Sequence, residues 1–189
     1  MGNHTALLVM DVQQRAIDRY VQDPMYVVRV GRAIEAARLC GSPVLYAAVG
    51  FRSDHPEISA RGLTFSALAA VGPVPTPSAD FAAEPHPETI VATKRRVGAF
   101  AGSELEVTLE ALGVDSLVLA GVATGGVLLS TLRQAADLGF HITVLSDACL
   151  GADPEVHRVL MDKVFPRHAD VFTVEQWERQ LHSSAPSVI

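Results

Sequence analysis

The stretch DSLVLAGVATGGVLLST, residues 115–131, sets a continuous apolar run against a turn of threonine and glycine, then opens a second apolar run of different period. SLVLAGV is too continuous for a strand with one face in water, so it reads as a parallel strand buried on both faces. GGVLLSTLRQAADLG reads as the helix that follows. A helix start directly after such a strand offers N–H donors to an anion or a polarised oxygen, so the two glycines and two threonines mark a place where something small is held.

The same grammar runs through the chain. ALLVM (6–10), PVLYAAV (43–49), TIVAT (89–93), HITVLSD (141–147) and ADVFTV (169–174) are further strand-like runs rich in β-branched residues. Between them PMYVVRVGRAIEAARLCG carries apolar residues at 27, 30, 34 and 37 and closes on glycine, as a helix with a C-cap does. SELEVTLEALG begins with Ser103 as a capping candidate and Glu106 three residues on, and DPEVHRVLMDKVF and VEQWERQL complete the helices. Strand then helix, about six times over, implies right-handed crossovers and a three-layer α/β fold: an open, mostly parallel, Rossmann-like sheet of about six strands with helices on both faces. The segment from about Phe51 to Pro87, with PVPTP and EPHP, is the irregular part and is expected to cover a sheet edge or a pocket.

Composition bounds the function. A chain of 189 residues, 49% hydrophobic and 19% charged, is read as one domain over residues 1–189. Fifteen Lys and Arg against 21 Asp and Glu leave a net charge of -6, and KRR at Lys94–Arg96 is the one basic cluster, which argues against a nucleic-acid surface. The two cysteines, Cys40 and Cys149, form no C-x-x-C pair, and the N-terminus lacks the charged start and long apolar stretch of a secretory signal. No run approaches a membrane span of ~20 apolar residues. The expectation is a cytoplasmic protein acting on a small molecule, without a nucleic-acid or membrane partner.

Open parallel sheets bind ligands beyond the carboxyl ends of their strands, which narrows the search to three ends. The first strand runs into Asp11, the third into Lys94 and the fourth into the turn Gly121–Val127. An acid, an ammonium and a helix start would converge on one crevice. Each also has a plainer reading: Asp11 as a helix cap, Lys94 as a solvated side chain, the glycines as aids to close packing.

At these residues the chain resembles the isochorismatase-like hydrolases, also called the cysteine hydrolase superfamily. LLVMDVQ, TKRRVGAF and GVATGGVLLST, followed by AADLGFHITVLSDAC, carry the resemblance in order over nearly the whole chain. It implies a catalytic set of an Asp after the first strand, a Lys after the third and a Cys at the helix start after the fourth. Asp11 and Lys94 match. The pattern G-x-x-T-x-x-C-V-x-x-T falls on Gly121, Thr124, Val127, Leu128 and Thr131, so Val127 stands at the cysteine position. The resemblance also implies a cis peptide between Val122 and Ala123, and a homo-oligomer.

Valine has no lone pair with which to attack a carbonyl, so acyl-enzyme chemistry at Val127 is excluded. The resemblance then points to members that cleave a vinyl ether with the Asp as general acid, which needs a proton and no nucleophile. Burial would raise the pKa of Asp11 towards that role, and a cationic Lys94 would lower it. Asp11 and Lys94 are the expected catalytic residues. Gln13, Phe51, Arg52, Phe100, Val122, Ala123, Thr124, Gly126 and Val127 are the expected substrate contacts, with Arg52 able to clamp a carboxylate. Two alternatives stand beside this reading: a binding homologue without turnover, and a nucleophile relocated to Cys149 after the fifth strand. No cofactor is expected and no metal: Asp54 and His55 are adjacent, and adjacent residues on an extended segment point to opposite faces and do not chelate easily, although His86 could in principle supply a third ligand.

Overall fold

The computed structural model describes residues 4–20, 23–51, 58, 81–83, 85 and 89–184. Six strands form one sheet: β1 (Thr5–Met10), β2 (Val44–Val49), β3 (Ile90–Lys94), β4 (Ser116–Val122), β5 (His141–Leu150) and β6 (Asp170–Phe172). Their order is β3-β2-β1-β4-β5-β6, and every pairing is parallel. The order reverses between β1 and β4, and this topology places a ligand crevice at the carboxyl ends of those two strands.

Both faces are covered, as continuous apolar strands require. Alternate residues divide cleanly. Leu7 and Val9 of β1 and Val118, Ala120 and Val122 of β4 face one core with Tyr26, Val30, Ala33 and Ile34 of α2 (Tyr26–Leu39). Ile17 of α1 (Gln14–Tyr20) and Val174 and Trp177 of α6 (Val174–Ser184) complete that layer. Leu8 and Met10, with Leu117 and Leu119, face the other core. There they meet Leu105 and Leu109 of α3 (Leu105–Ala111) and Leu132 and Ala135 of α4 (Leu129–Asp137). Among the described residues no helix is long and apolar enough to cross a membrane.

Three details differ from the reading of periodicity. β5 continues to Leu150, three residues past the expected HITVLSD run, because the β4–β5 register shifts: Leu119 pairs with Val144 but Gly121 with Cys149. The irregularity is anchored, with the Asp147 carboxylate accepting from Val174 N–H at 2.8 Å and its carbonyl from Arg29 Nε at 2.7 Å. The helix expected from Gly125 begins instead as a wide turn over Thr124–Leu128, in which Gly126 and Leu128 both donate to Ala123 O. The helix after Asp153 likewise opens as α5 (Pro154–Val159) and widens over Leu160–Val164. Asp153 caps α5 by accepting from Glu155 N–H at 2.8 Å and Val156 N–H at 3.2 Å.

Candidate active site

Asp11 leaves β1 with φ +51°, a left-handed conformation that aspartate tolerates better than most residues. One carboxylate oxygen, Oδ1, accepts the N–H of Val49 at the end of β2, at 3.1 Å. The other, Oδ2, lies 2.8 Å from Lys94 Nζ. Register explains the reach: Val49 pairs with Lys94 across β2–β3, so one peptide N–H and one long side chain from adjacent strand ends converge on the same carboxylate. The pair is withdrawn from water, with side-chain exposures of 2% for Lys94 and 13% for Asp11. The plainer readings of Asp11 as a cap and Lys94 as a solvated lysine do not hold.

Burial is the main influence on Asp11 and raises its carboxyl above the ordinary 3.8; the Lys94 charge and the hydrogen bonds from Lys94 and Val49 pull the other way. The Lys94 ammonium also reaches the carbonyls of Arg96 and Val97, each at 3.4 Å, so its three donors all have protein acceptors. Those carbonyls are held because the loop after β3 sits on α4. Ala99 N–H donates to the buried Thr131 Oγ1 at 3.0 Å, and a Cβ at Gly98 would come within 2.6 Å of Gln134 Oε1 and 3.3 Å of Ser130 Cβ.

Across the crevice, β4 ends in a cis peptide between Val122 and Ala123. Gly121 is the glycine this crossing needs. Its φ is +144°, and a Cβ there would lie 2.1 Å from Met10 O on the neighbouring strand. At Gly126 a Cβ would meet nothing within 4 Å, so that position opens onto space. Thr124 is fully buried, its hydroxyl 2.9 Å from Leu150 O and 2.8 Å from His157 Nδ1. Nothing in the sequence pattern pointed to His157, because its partner is 33 residues away and comes into range only when β5 and α5 are built.

Val122 is 3% exposed in the α2-side core, and Val127, also 3%, lies with Met10 and Phe100 in the α4-side core. The Phe100 ring packs 6.0 Å from Phe140. Phe51, just past β2, is buried, and so is Gln13, which bridges to Phe81. That bridge, a bond from Ala82 N–H to Val12 O at 3.1 Å and an edge-to-face contact of Tyr46 with Phe81 at 5.1 Å pin residues 81–83 beside the end of β1. Arg52, Asp54, His55 and His86 lie outside the described residues.

The alternative of a nucleophile at Cys149 fails on its surroundings. Cys149 lies within β5 rather than after it, is 2% exposed, and burial pushes its thiol up to about 12. A thiol so placed supplies no thiolate near neutral pH. Cys40 is exposed just after α2, at the opposite edge of the sheet from the crevice.

A parallel sheet of order 321456 with a buried acid–lysine pair at its switch point defines an α/β enzyme whose chemistry gathers at the carboxyl edge. The family model for the isochorismatase domain matches residues 5–176, and the chain belongs to that family of hydrolases. It is 34% identical over 179 residues to the isochorismatase family protein YecD of Escherichia coli O157:H7, covering 91% of this chain and 93% of that one. It is 30% identical over 187 residues to the ureidoacrylate amidohydrolase RutB of Methylobacterium radiotolerans, covering 85% and 72%. An isochorismatase family protein from Burkholderia thailandensis superposes with a TM-score of 0.80 at 25% identity, over 96% of this chain and 97% of that one.

Proposed function

We propose that the protein is a thiol-independent hydrolase that uses Asp11 as general acid on a small carboxylated substrate such as a vinyl ether. The observation that carries this is the buried Asp11–Lys94 pair, in which burial raises the carboxyl pKa while an ammonium waits 2.8 Å away. Burial favours the protonated acid before reaction, and Lys94 and Val49 N–H stabilise the carboxylate once the proton has left. The proton goes from Asp11 to the enol carbon, giving an oxocarbenium ion. Water adds to that ion and returns a proton to Asp11. The resulting hemiketal collapses to pyruvate and an alcohol.

The Thr124–Val127 turn borders the substrate in this reading, with Phe51, Phe100 and Gln13 near the strand ends and Arg52 as a carboxylate clamp. Thr124 is no substitute nucleophile, since its hydroxyl is fully buried and its proton is committed to Leu150 O. Val127 stands where the family pattern has its cysteine, and neither cysteine of the chain supplies a thiolate at the crevice. The RutB relative is an amidohydrolase, so amide hydrolysis is the competing activity. Incubation with isochorismate, a vinyl ether, should release pyruvate, while nicotinamide should be left intact. Amide turnover by the unmodified protein, or loss of pyruvate release on thiol alkylation, would overturn the proposal.

A further inference from the structure

The Thr124 hydroxyl has one proton and two neighbours, Leu150 O at 2.9 Å and His157 Nδ1 at 2.8 Å. A carbonyl oxygen can only accept, so the hydroxyl proton goes to Leu150 and Nδ1 of His157 must itself carry a hydrogen. In the neutral ring this is the Nδ1–H tautomer, which leaves Nε2 as an acceptor. Burial lowers the pKa of His157, with Asp162 opposing, which favours the neutral ring that this bond uses.

The contact is built rather than incidental. Gly151 lies beside it: a Cβ there would sit 3.3 Å from His157 Cβ, tighter than side chains ordinarily pack, and in ordinary contact with Thr124 Oγ1 at 3.5 Å. From the same helix α5, Val156 Cγ1 would be 3.7 Å from a Cβ at Gly125. The end of β5, the start of α5 and the turn after β4 are thereby closed around one threonine hydroxyl. Ala123, next to it, takes both turn hydrogen bonds, from Gly126 at 3.0 Å and Leu128 at 3.4 Å.

We infer that His157 is a positioning residue for the crevice: its Nδ1–H holds Thr124, and through Thr124 it holds the backbone of residues 123–128 in the form that borders the substrate. Its consequence for turnover rests on the hydrolase reading above; the clamp itself does not.

His157→Asn places an amide N–H near the position of Nδ1, whereas His157→Gln places it near Nε2 and His157→Ala offers none. Amide hydrogen exchange at Gly126 and Leu128 should speed up about tenfold in the Gln and Ala variants and stay within about threefold in the Asn variant. Exchange at Leu8 and Leu119 in the central strands should change in none of them. Nitrogen-15 NMR of the ring in the unmutated protein should show the Nδ1–H tautomer. Where pyruvate release is observed, kcat should fall about tenfold in the Gln and Ala variants with KM little altered, and Asn should restore it. An Nε2–H ring, or equal exchange in all three variants, would overturn the inference. Absence of pyruvate release from the unmutated protein, with the exchange pattern as stated, would count against the vinyl-ether reading and leave the clamp standing.

Discussion

At the residue scale, the fate of Asp11 depends on what Lys94 removes from it. Burial raises the carboxyl above 3.8 and Lys94 is the main opposing influence, so Lys94→Met should raise it further. A carboxyl with a folded-state pKa above its unfolded value contributes stability below the unfolded value and loses it as pH rises through the folded one. Lys94→Met should therefore cost about 3–5 kcal/mol at pH 8, with the deficit shrinking towards pH 4. Urea unfolding across that range checks this, and a deficit independent of pH would speak against the pairing. The thiols give a second residue-scale test. Exposed Cys40 should react with an aromatic disulfide reagent in the native protein, and Cys149, at about 12, should react only after unfolding. The meeting of Asp11 and Lys94 could be read from the sequence because Asp11 directly follows β1 and Lys94 ends β3, and the topology sends both strand ends to one edge. The Val49 N–H on Asp11 could not, because a backbone donor carries no residue signature and its place follows from register alone.

At the scale of elements, the glycines of the β4 turn separate by what a methyl group would meet. Gly121→Ala drives a Cβ into Met10 O at 2.1 Å with φ at +144°, so the expected loss exceeds about 4 kcal/mol. Gly126→Ala meets open space and should change stability by less than about 1 kcal/mol; in the proposed reading, where this turn borders the substrate, it should also raise KM. Denaturant midpoints for the two variants decide it; equal losses would contradict the assigned roles. Strand identity was legible from continuous β-branched runs, and every strand expected is present. The overrun of β5 to Leu150 was not, because it depends on a register shift against β4 and on Asp147 and Arg29 closing the irregularity. The wide turn at Thr124–Leu128 was equally hidden, since GGVLLST has an ordinary helical pattern and the widening is set by Ala123 O accepting twice.

At the scale of the whole molecule, the strand order underlies the proposed site: the order reverses between β1 and β4, and β3 sends Lys94 across the end of β2 to Asp11. The order follows from right-handed crossovers in a chain of alternating strands and helices, which is why the convergence of the β1 and β3 ends was legible before their contacts were. The cross-element clamp of His157 on Thr124 lay beyond that reading, as it needs the turn after β4, the end of β5 and the start of α5 already in position. The most direct test of the central claim is pyruvate release from isochorismate by thiol-alkylated protein, comparing the parent with Asp11→Asn and with Asp11→Asn/Lys94→Met, in which no buried ammonium is left unpaired. The account predicts that the alkylated parent keeps its rate and that both variants fall by at least about a thousandfold while remaining folded. Activity abolished by alkylation, or retained by a folded Asp11→Asn variant, would contradict it.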